Sequence, residues 1–393
     1  MNETQPLLAI YIMWHSEFGD GETIATSIYE HFRSSMHSLI TGGIGIDVQF
    51  RFKCIKETGK PKKIDLDASA TTAIITLLDP NMAKDESWIE FLKDISVKAS
   101  KAGYRHRLFP VSIETSTLQK AKLSEQAFRW DNWQEAIEGK IQRLIRELAY
   151  EMCRMLRLLL TELENPEADR NSLTGYLKKV EVFLSHSKHD AIGEDVAKEV
   201  RDFIHNGHGL SSFFDVNDIP AGLPFDQVIL HSVKNSAMIS IHTDTYSSRE
   251  WCRKEVIEAK RHHVPLVVAN CLVDTDQRAF PYIGNVPVIR LDPDEKHRIA
   301  LVIGHLLDEV LKGFVWRCHV CIMKRKADQN TIFIPRTPEL LSLATLPQPE
   351  GGQLIKIVHP DPPIAAEEKL LFDQIATHVQ LFCLSDWIAE VSQ

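Results

Sequence analysis

The run Val180-Glu-Val-Phe-Leu-Ser185 constrains the fold more than any other part of the chain. It is short, β-branched and largely apolar, the signature of a strand buried on both faces, and such strands occur in parallel sheets covered by helices. The run ends in Ser185-His186-Ser187. In open α/β sheets ligands collect outside the carboxyl ends of the strands, where small hydroxyl residues can approach a sugar or phosphate closely. The plainer alternative is that Ser185 and Ser187 turn the chain and cap a helix expected from Asp190 to Asn206.

Two further strand-to-helix units follow. A second strand is expected over Ser211 to Phe214, ending at Asp215, and the loop after it carries Asp218, Pro220, Gly222 and Pro224. Two prolines fix φ and one glycine permits positive φ, so this loop has a defined shape. Turn chemistry alone also accounts for Asp215 and Asp218, because Asp readily bonds its own backbone. A third strand, Ala237 to His242, leads through Thr243-Asp-Thr-Tyr-Ser247-Ser into a helix whose first turns hold Trp251 and Glu255. Spacing of i and i+4 stacks indole and carboxylate on one helical face, where the aromatic would wall a pocket and lower the dielectric around the acid. Taken alone, a Trp-x-x-x-Glu pair is equally a packing residue followed by a solvated acid.

Together these pieces resemble the Toll/interleukin-1 receptor (TIR) domain, in particular its NAD-cleaving members from bacteria, plants and the neuronal axon-degeneration enzyme. The matching residues are Glu181-Val-Phe-Leu-Ser-His186, the loop Phe213-Phe-Asp215-Val-Asn-Asp-Ile-Pro-Ala-Gly222, and Trp251-Cys-Arg-Lys-Glu255. The resemblance runs from about Tyr176 to about Trp316, and it departs from the family's common Ser-Tyr at His186. It implies a flavodoxin-like domain in which Glu255 is catalytic. It further implies that Ser185, His186, Ser187, Asp215, Gly222, Ser247 and Trp251 line the substrate pocket, that NAD⁺ is the substrate with no cofactor, and that TIR domains self-associate. Bacterial relatives of this kind act in anti-phage defence when a trigger assembles them, so a partner protein or a nucleotide messenger is expected.

The chemistry asks for the same residue. The nicotinamide of NAD⁺ is already cationic, so it leaves as a neutral base without a general acid, and what remains is an oxocarbenium-like sugar that a carboxylate steadies, as in glycoside hydrolysis. One acid then suffices, and an electrostatic contribution of this kind is worth about 3 kcal/mol. Hydrolysis and cyclisation both stay open as outcomes. Two other classes remain beside the NAD⁺ nucleosidase: an adaptor that works only by pairing TIR domains, and a protein that binds nucleotide messengers through its terminal parts.

The first 130 residues repeat the pattern in a degraded form: a strand at Leu7 to Met13, a Gly19-Asp-Gly21 loop, a helix with Ile24, Ile28 and Phe32 on one face, and strands at Ile46 to Phe52 and Ala73 to Leu78. Four residues beyond Trp88 stands Leu92, not an acid, so this half is expected to be a non-catalytic TIR-like domain. A helix from about Asn132 to Glu164 carries Ile137, Ile141, Leu144, Leu148, Met152, Met155 and Leu159 at spacings of three and four. That stripe suits a core-facing helix, while its heptad-like rhythm also permits pairing between subunits. The expected fold class is therefore α/β: two flavodoxin-like TIR-type domains with mainly parallel sheets and a small C-terminal α/β extension. The expected boundaries are 1–130 for the degenerate domain, 131–175 for connector and linker, 176–316 for the catalytic TIR domain and 317–393 for the extension.

A length of 393 residues exceeds what one core sustains. A net charge of −9 gives no basic footprint, so direct nucleic-acid binding is not expected. Seven scattered cysteines form no disulfide framework and suit a reducing, cytoplasmic location. Leu7 to Trp14 is too short to span a bilayer, so neither secretion nor membrane insertion is expected. No metal is expected: Cys318-His-Val-Cys321 has zinc-like spacing but lacks a second ligand pair. Phosphate-binding loops of the Gly-x-x-x-x-Gly-Lys-Ser/Thr and Gly-x-Gly-x-x-Gly kinds are missing. Ser185 and His186, adjacent on a strand, point to opposite faces and cannot form a hydrolytic pair.

Overall fold

The computed structural model describes residues 5–37, 46–53, 61–169, 171–188, 190–205, 214–217, 236–276, 278–292, 295, 297–346 and 353–391, with the backbone alone at 34–37, 214–217 and 236. Two compact units divide the chain. One comprises Met1–Tyr176, Phe314–Lys326 and Leu384–Gln393; the other comprises Leu177–Gly313 and Ala327–Cys383. All three sheets are parallel, as runs buried on both faces require.

The first unit has a four-stranded sheet, β1 (Leu8–Met13), β2 (Ile46–Arg51), β3 (Thr71–Leu78) and β4 (His106–Ser112), in the order β2-β1-β3-β4. Every residue of β3 is buried. Helix α1 (Gly21–His37) buries Ile24, Ile28 and Phe32, the face its spacing predicts. Helix α2 (Glu86–Lys101) is capped by Asp85, whose side chain accepts from the amides of Ser87 and Trp88. Trp88 and Leu92 are both core residues here, so the position four beyond the tryptophan packs against apolar neighbours. The short helix α3 (Thr115–Ala121) precedes the long α4 (Ile137–Glu164), which packs on α1 and β3 as the core-facing alternative expects. Burial extends well beyond the apolar stripe and takes in Arg146 and Arg154, the latter stacked over the Tyr150 ring at 4.5 Å. The five-residue α5 (Leu173–Leu177) follows.

The second unit has a five-stranded sheet made of β5 (Val180–Ser185), β6 (Phe214–Asn217), β7 (Ser236–His242), β8 (Leu266–Asn270) and β9 (Val288–Arg290), in the order β6-β5-β7-β8-β9. This is the flavodoxin-like 2-1-3-4-5 order, and it puts β5 in the interior of the sheet beside the switch point where β6 and β7 diverge. The second strand runs on through Asn217, past the expected end at Phe214, so Asp215 falls inside β6, in register with Glu181, and does not follow the strand; residues 211–213 lie outside the described residues. The shaped loop with Asp218, Pro220, Gly222 and Pro224 lies outside the described residues.

Helices α6 (Ala191–His205) and α7 (Glu250–Arg261) flank the sheet, and α8 (Arg298–Met323) runs for 26 residues. Gly313 does not stop it, because Val315, Trp316 and Cys318 continue the buried stripe of Leu307, Val310 and Leu311. Cys318 and Cys321 therefore sit on a helix, with the Cys318 thiol 3.7 Å from the Leu156 carbonyl. Among the described residues no group of three His, Cys, Asp or Glu is placed to hold a metal.

The remaining sheet is β10 (Thr331–Phe333), β11 (Ile355–His359) and β12 (Val379–Cys383), connected through α9 (Leu340–Ala344) and α10 (Ala366–Ile375), with α11 (Leu384–Val391) after it. Within the second unit α9 packs on α7. The buried Lys260 ammonium on α7 donates to the Gly284 carbonyl at 2.6 Å and to Glu339 at 2.9 Å, while Arg336 donates to the Val264 carbonyl at 3.1 Å and to Glu309 at 3.4 Å. Removing one partner of a buried pair strands the other charge, which costs about 3–5 kcal/mol when both are fully enclosed. Glu339 is partly exposed, so we expect Glu339→Gln to destabilise the chain by about 2 kcal/mol in urea unfolding, against a negligible change for the exposed Lys369–Asp373 pair.

Candidate functional site

Ser185 is the last residue of β5 and is buried, in register with Ser240 of β7. The chain then turns through His186 and Ser187 into α6, which Asp190 caps by accepting from the Ile192 amide at 3.1 Å. Thr245, in the segment after β7, donates to Asp190 at 3.1 Å and lies 3.3 Å from the Ser187 hydroxyl. Burial alone would raise the Asp190 carboxyl. Hydrogen bonds from Thr243, Thr245 and the amides of residues 192 and 193 outweigh it and hold the group below its usual value. The loops after β5 and β7 are thus bound to each other at the carboxyl ends of adjacent strands.

Helix α7 is amphipathic, and its inward stripe is Cys252, Glu255, Val256, Ala259 and Lys260. Glu255 is carried into the interior because apolar residues at 252, 256 and 259 must be buried and 255 lies on the same face at 3.6 residues per turn. It is 8% exposed. The Ser185 hydroxyl donates to its carboxylate, and that same Ser185 oxygen is 2.5 Å from the phenol of Tyr246. Tyr246 belongs to a short 3-10 turn, Tyr246–Ser248, between β7 and α7, and is fully buried. Burial raises Glu255 to about 7, against the opposing pull of the Ser185 hydrogen bond and the positive Lys188. The neighbouring Cys252 thiol is pushed up by burial to about 12 and stays neutral; its sulfur is 3.6 Å from the His186 carbonyl.

The structure thus brings Ser185 and Glu255 into direct contact, with the His186 backbone on the flank. Trp251 lies at the outer edge of α7, 51% exposed, with the Lys254 ammonium 4.5 Å from its ring centroid. The side chain of Asp215 and all of Gly222 lie outside the described residues. Ser247 is buried but engaged elsewhere: its hydroxyl donates to Asp276 at 2.7 Å, and His242 Nε2 meets the same carboxylate oxygen at 2.8 Å. The Asp276 carboxyl, which burial would raise, is lowered overall by these contacts and by the amides of residues 278 and 279. Sequence reasoning missed His242 and Asp276. Their only signal was the position of His242 at a strand end, since Asp276 comes from a loop 34 residues away.

This second unit is a flavodoxin-like α/β module that presents a buried acid from the helix following its third strand. Residues 182–302 match the family model of the TIR domain, and this part of the chain is a TIR domain. No curated protein matches the chain. Among solved structures it is similar to PH0766 from Pyrococcus horikoshii OT3, at 10% identity over 78% of this chain and 66% of that one, with a TM-score of 0.24. The chain spans a little under two thirds of that protein.

The raised Glu255 carboxyl has a consequence for stability. The folded chain keeps this proton up to about pH 7, whereas the unfolded chain releases it near 4.5. Between those values the folded state binds more protons, so this group's contribution to stability falls as pH rises and levels off above about pH 7. Glu255→Gln removes the titration. We expect its stability relative to wild type to rise by on the order of 3 kcal/mol between pH 4 and pH 8 in thermal or urea unfolding, whereas a difference independent of pH would contradict the assignment.

Proposed function

We propose that the TIR domain is an NAD⁺ glycohydrolase in which Glu255 steadies the oxocarbenium-like ribose as nicotinamide departs. The observation that carries this reading is the placement of Glu255: a desolvated carboxylate at the carboxyl ends of β5 and β7, fixed by the Ser185 hydroxyl. A carboxylate in such surroundings interacts with a developing positive charge far more strongly than one in water, and its orientation needs no reorganisation during reaction. The leaving group departs as a neutral base, so no second acid is required, and NAD⁺ is the substrate with no cofactor beside it. Water attack on the sugar gives ADP-ribose; capture by the adenine gives a cyclic isomer.

The resemblance to defence-type TIR enzymes supports self-association through TIR domains and activation by a partner protein or nucleotide messenger. Among the described residues no helix is long and apolar enough to cross a membrane. A second reading, a TIR adaptor without turnover, is favoured by the half-exposed Trp251 and the exposed Val273, apolar side chains suited to contact with another protein. In that reading Glu255 is a structural acid.

Incubating the full-length wild type and Glu255→Gln with NAD⁺ under crowded, assembly-promoting conditions separates the two. We expect nicotinamide release to fall at least about a hundredfold in the variant while self-association persists. Equal release by both proteins would remove Glu255 from the mechanism, and absence of release from both with intact association would favour the adaptor.

A further inference from the structure

The Glu255 carboxylate touches Ser185, but Ser185 does not stand alone. Its oxygen is also 2.5 Å from the Tyr246 hydroxyl, in a place closed to water. Burial holds Tyr246 well above the usual phenol range, so it is a neutral O–H throughout the working range of pH. Ser185 has a single proton. With Glu255 ionised, the Ser185 O–H donates to the carboxylate, and the Ser185 oxygen then accepts from Tyr246. The order is then fixed as Tyr246 O–H to Ser185 O–H to Glu255 carboxylate, and each donor polarises the next.

The Tyr246 ring has an aromatic neighbour of its own. The His242 ring meets it edge-on, with centroids 5.7 Å apart and planes at 74°, and Ser247, next in the same turn, is bonded to Asp276. The groups around the acid come from three places: Lys188 from the turn after β5, Cys252 from the acid's own helix, and Tyr246 from the turn before it. Of these only Lys188 carries a charge, and it is exposed. Orientation of the buried dipoles is therefore left to hydroxyls, those of Ser185 and Tyr246 with the buried Ser240 beside the phenol.

We propose that Tyr246 is a positioning residue for the Glu255 site: by donating to Ser185 it aims the serine O–H at the carboxylate, favouring the ionised form and holding it in one rotamer without touching substrate. Its part in turnover rests on the NAD⁺-cleaving reading above. Its effect on Glu255 does not, and can be measured in a protein that turns nothing over.

The test uses full-length Tyr246→Phe, Ser185→Ala and their double variant, each also in the Glu255→Gln background, with unfolding followed at about pH 5 and about pH 8. Loss of the phenolic donor raises the folded-state titration of Glu255 further, so Tyr246→Phe should lower the unfolding midpoint more at the higher pH. That excess should vanish when Glu255 is Gln, and it should not add to the excess caused by Ser185→Ala. A Tyr246→Phe effect that is the same at both pH values, or that persists unchanged with Gln at 255, would reduce Tyr246 to a core contact and overturn the proposal. If Tyr246→Phe proves too unstable to assay, Ser185→Ala decides on its own: without a pH-dependent excess that depends on Glu255, the relay has no effect to transmit.

Where nicotinamide release is observed, the rising limb of its pH profile should move up by about half to one unit in Tyr246→Phe, a threefold to tenfold loss below neutrality that recovers at higher pH. An unmoved limb overturns the proposal. Absence of release in wild type overturns the enzymatic reading alone and leaves the unfolding comparison to judge the relay.

Discussion

The contact between the Ser185 hydroxyl and the Glu255 carboxylate is the interaction on which the functional interpretation depends. A carboxyl removed from water without a partner is held neutral, and a neutral acid has little to offer a cationic sugar. One that keeps a charged-state donor and a nearby ammonium titrates within reach of physiological pH. In this chain burial dominates, Ser185 and Lys188 oppose it, and the balance lies near neutrality. Perturbed groups of this kind cluster at functional sites, although buried structural networks perturb them too: Lys260 of the same unit is lowered by burial against the opposing pull of its Glu339 partner.

The geometry follows from the arrangement of the sheet. An interior strand of a parallel sheet ends in a buried serine, the adjacent strand runs into a turn that carries a tyrosine, and the helix after that turn must bury Cys252, Val256 and Ala259. Glu255 has nowhere to point except toward the strand ends. In the first unit the corresponding helix places Leu92 in the core after Trp88, so the same kind of scaffold there encloses an apolar residue. Two sheets with β1 and β5 in equivalent positions thus differ in what the following helix buries there, a leucine in one and an acid in the other.

Much of this was legible in the sequence because its signals are local. Buried strands such as Val180–Ser185 and Thr71–Leu78 announce themselves by continuous apolar runs, and Glu255 by its position in a familiar motif. What escaped depends on contacts distant along the chain or on a finer reading of helical phase. Trp251 and Glu255 are only about 40° apart around the helix, yet the apolar stripe centres on 252, 256 and 259, which leaves the indole on the solvent side and draws the acid inward. A Glu flanked by that stripe was the stronger signal. Val379–Cys383 is too short and too weakly alternating to be told from a loop, and it becomes a strand only by pairing with β11. The union of His242, Ser247 and Asp276 brings a strand end and a distant loop together, which no periodicity encodes.

The most direct measurement is the ionisation of Glu255 itself, followed in the intact protein by the carboxyl ¹³C shift of labelled glutamate, with Glu255→Gln identifying the resonance. A midpoint near neutrality, well above that of the exposed glutamates, is the result that a buried carboxylate steadied by Ser185 requires. A midpoint in the ordinary range near 4.5 would mean that burial does not govern this carboxyl, and would contradict a desolvated acid at the strand ends.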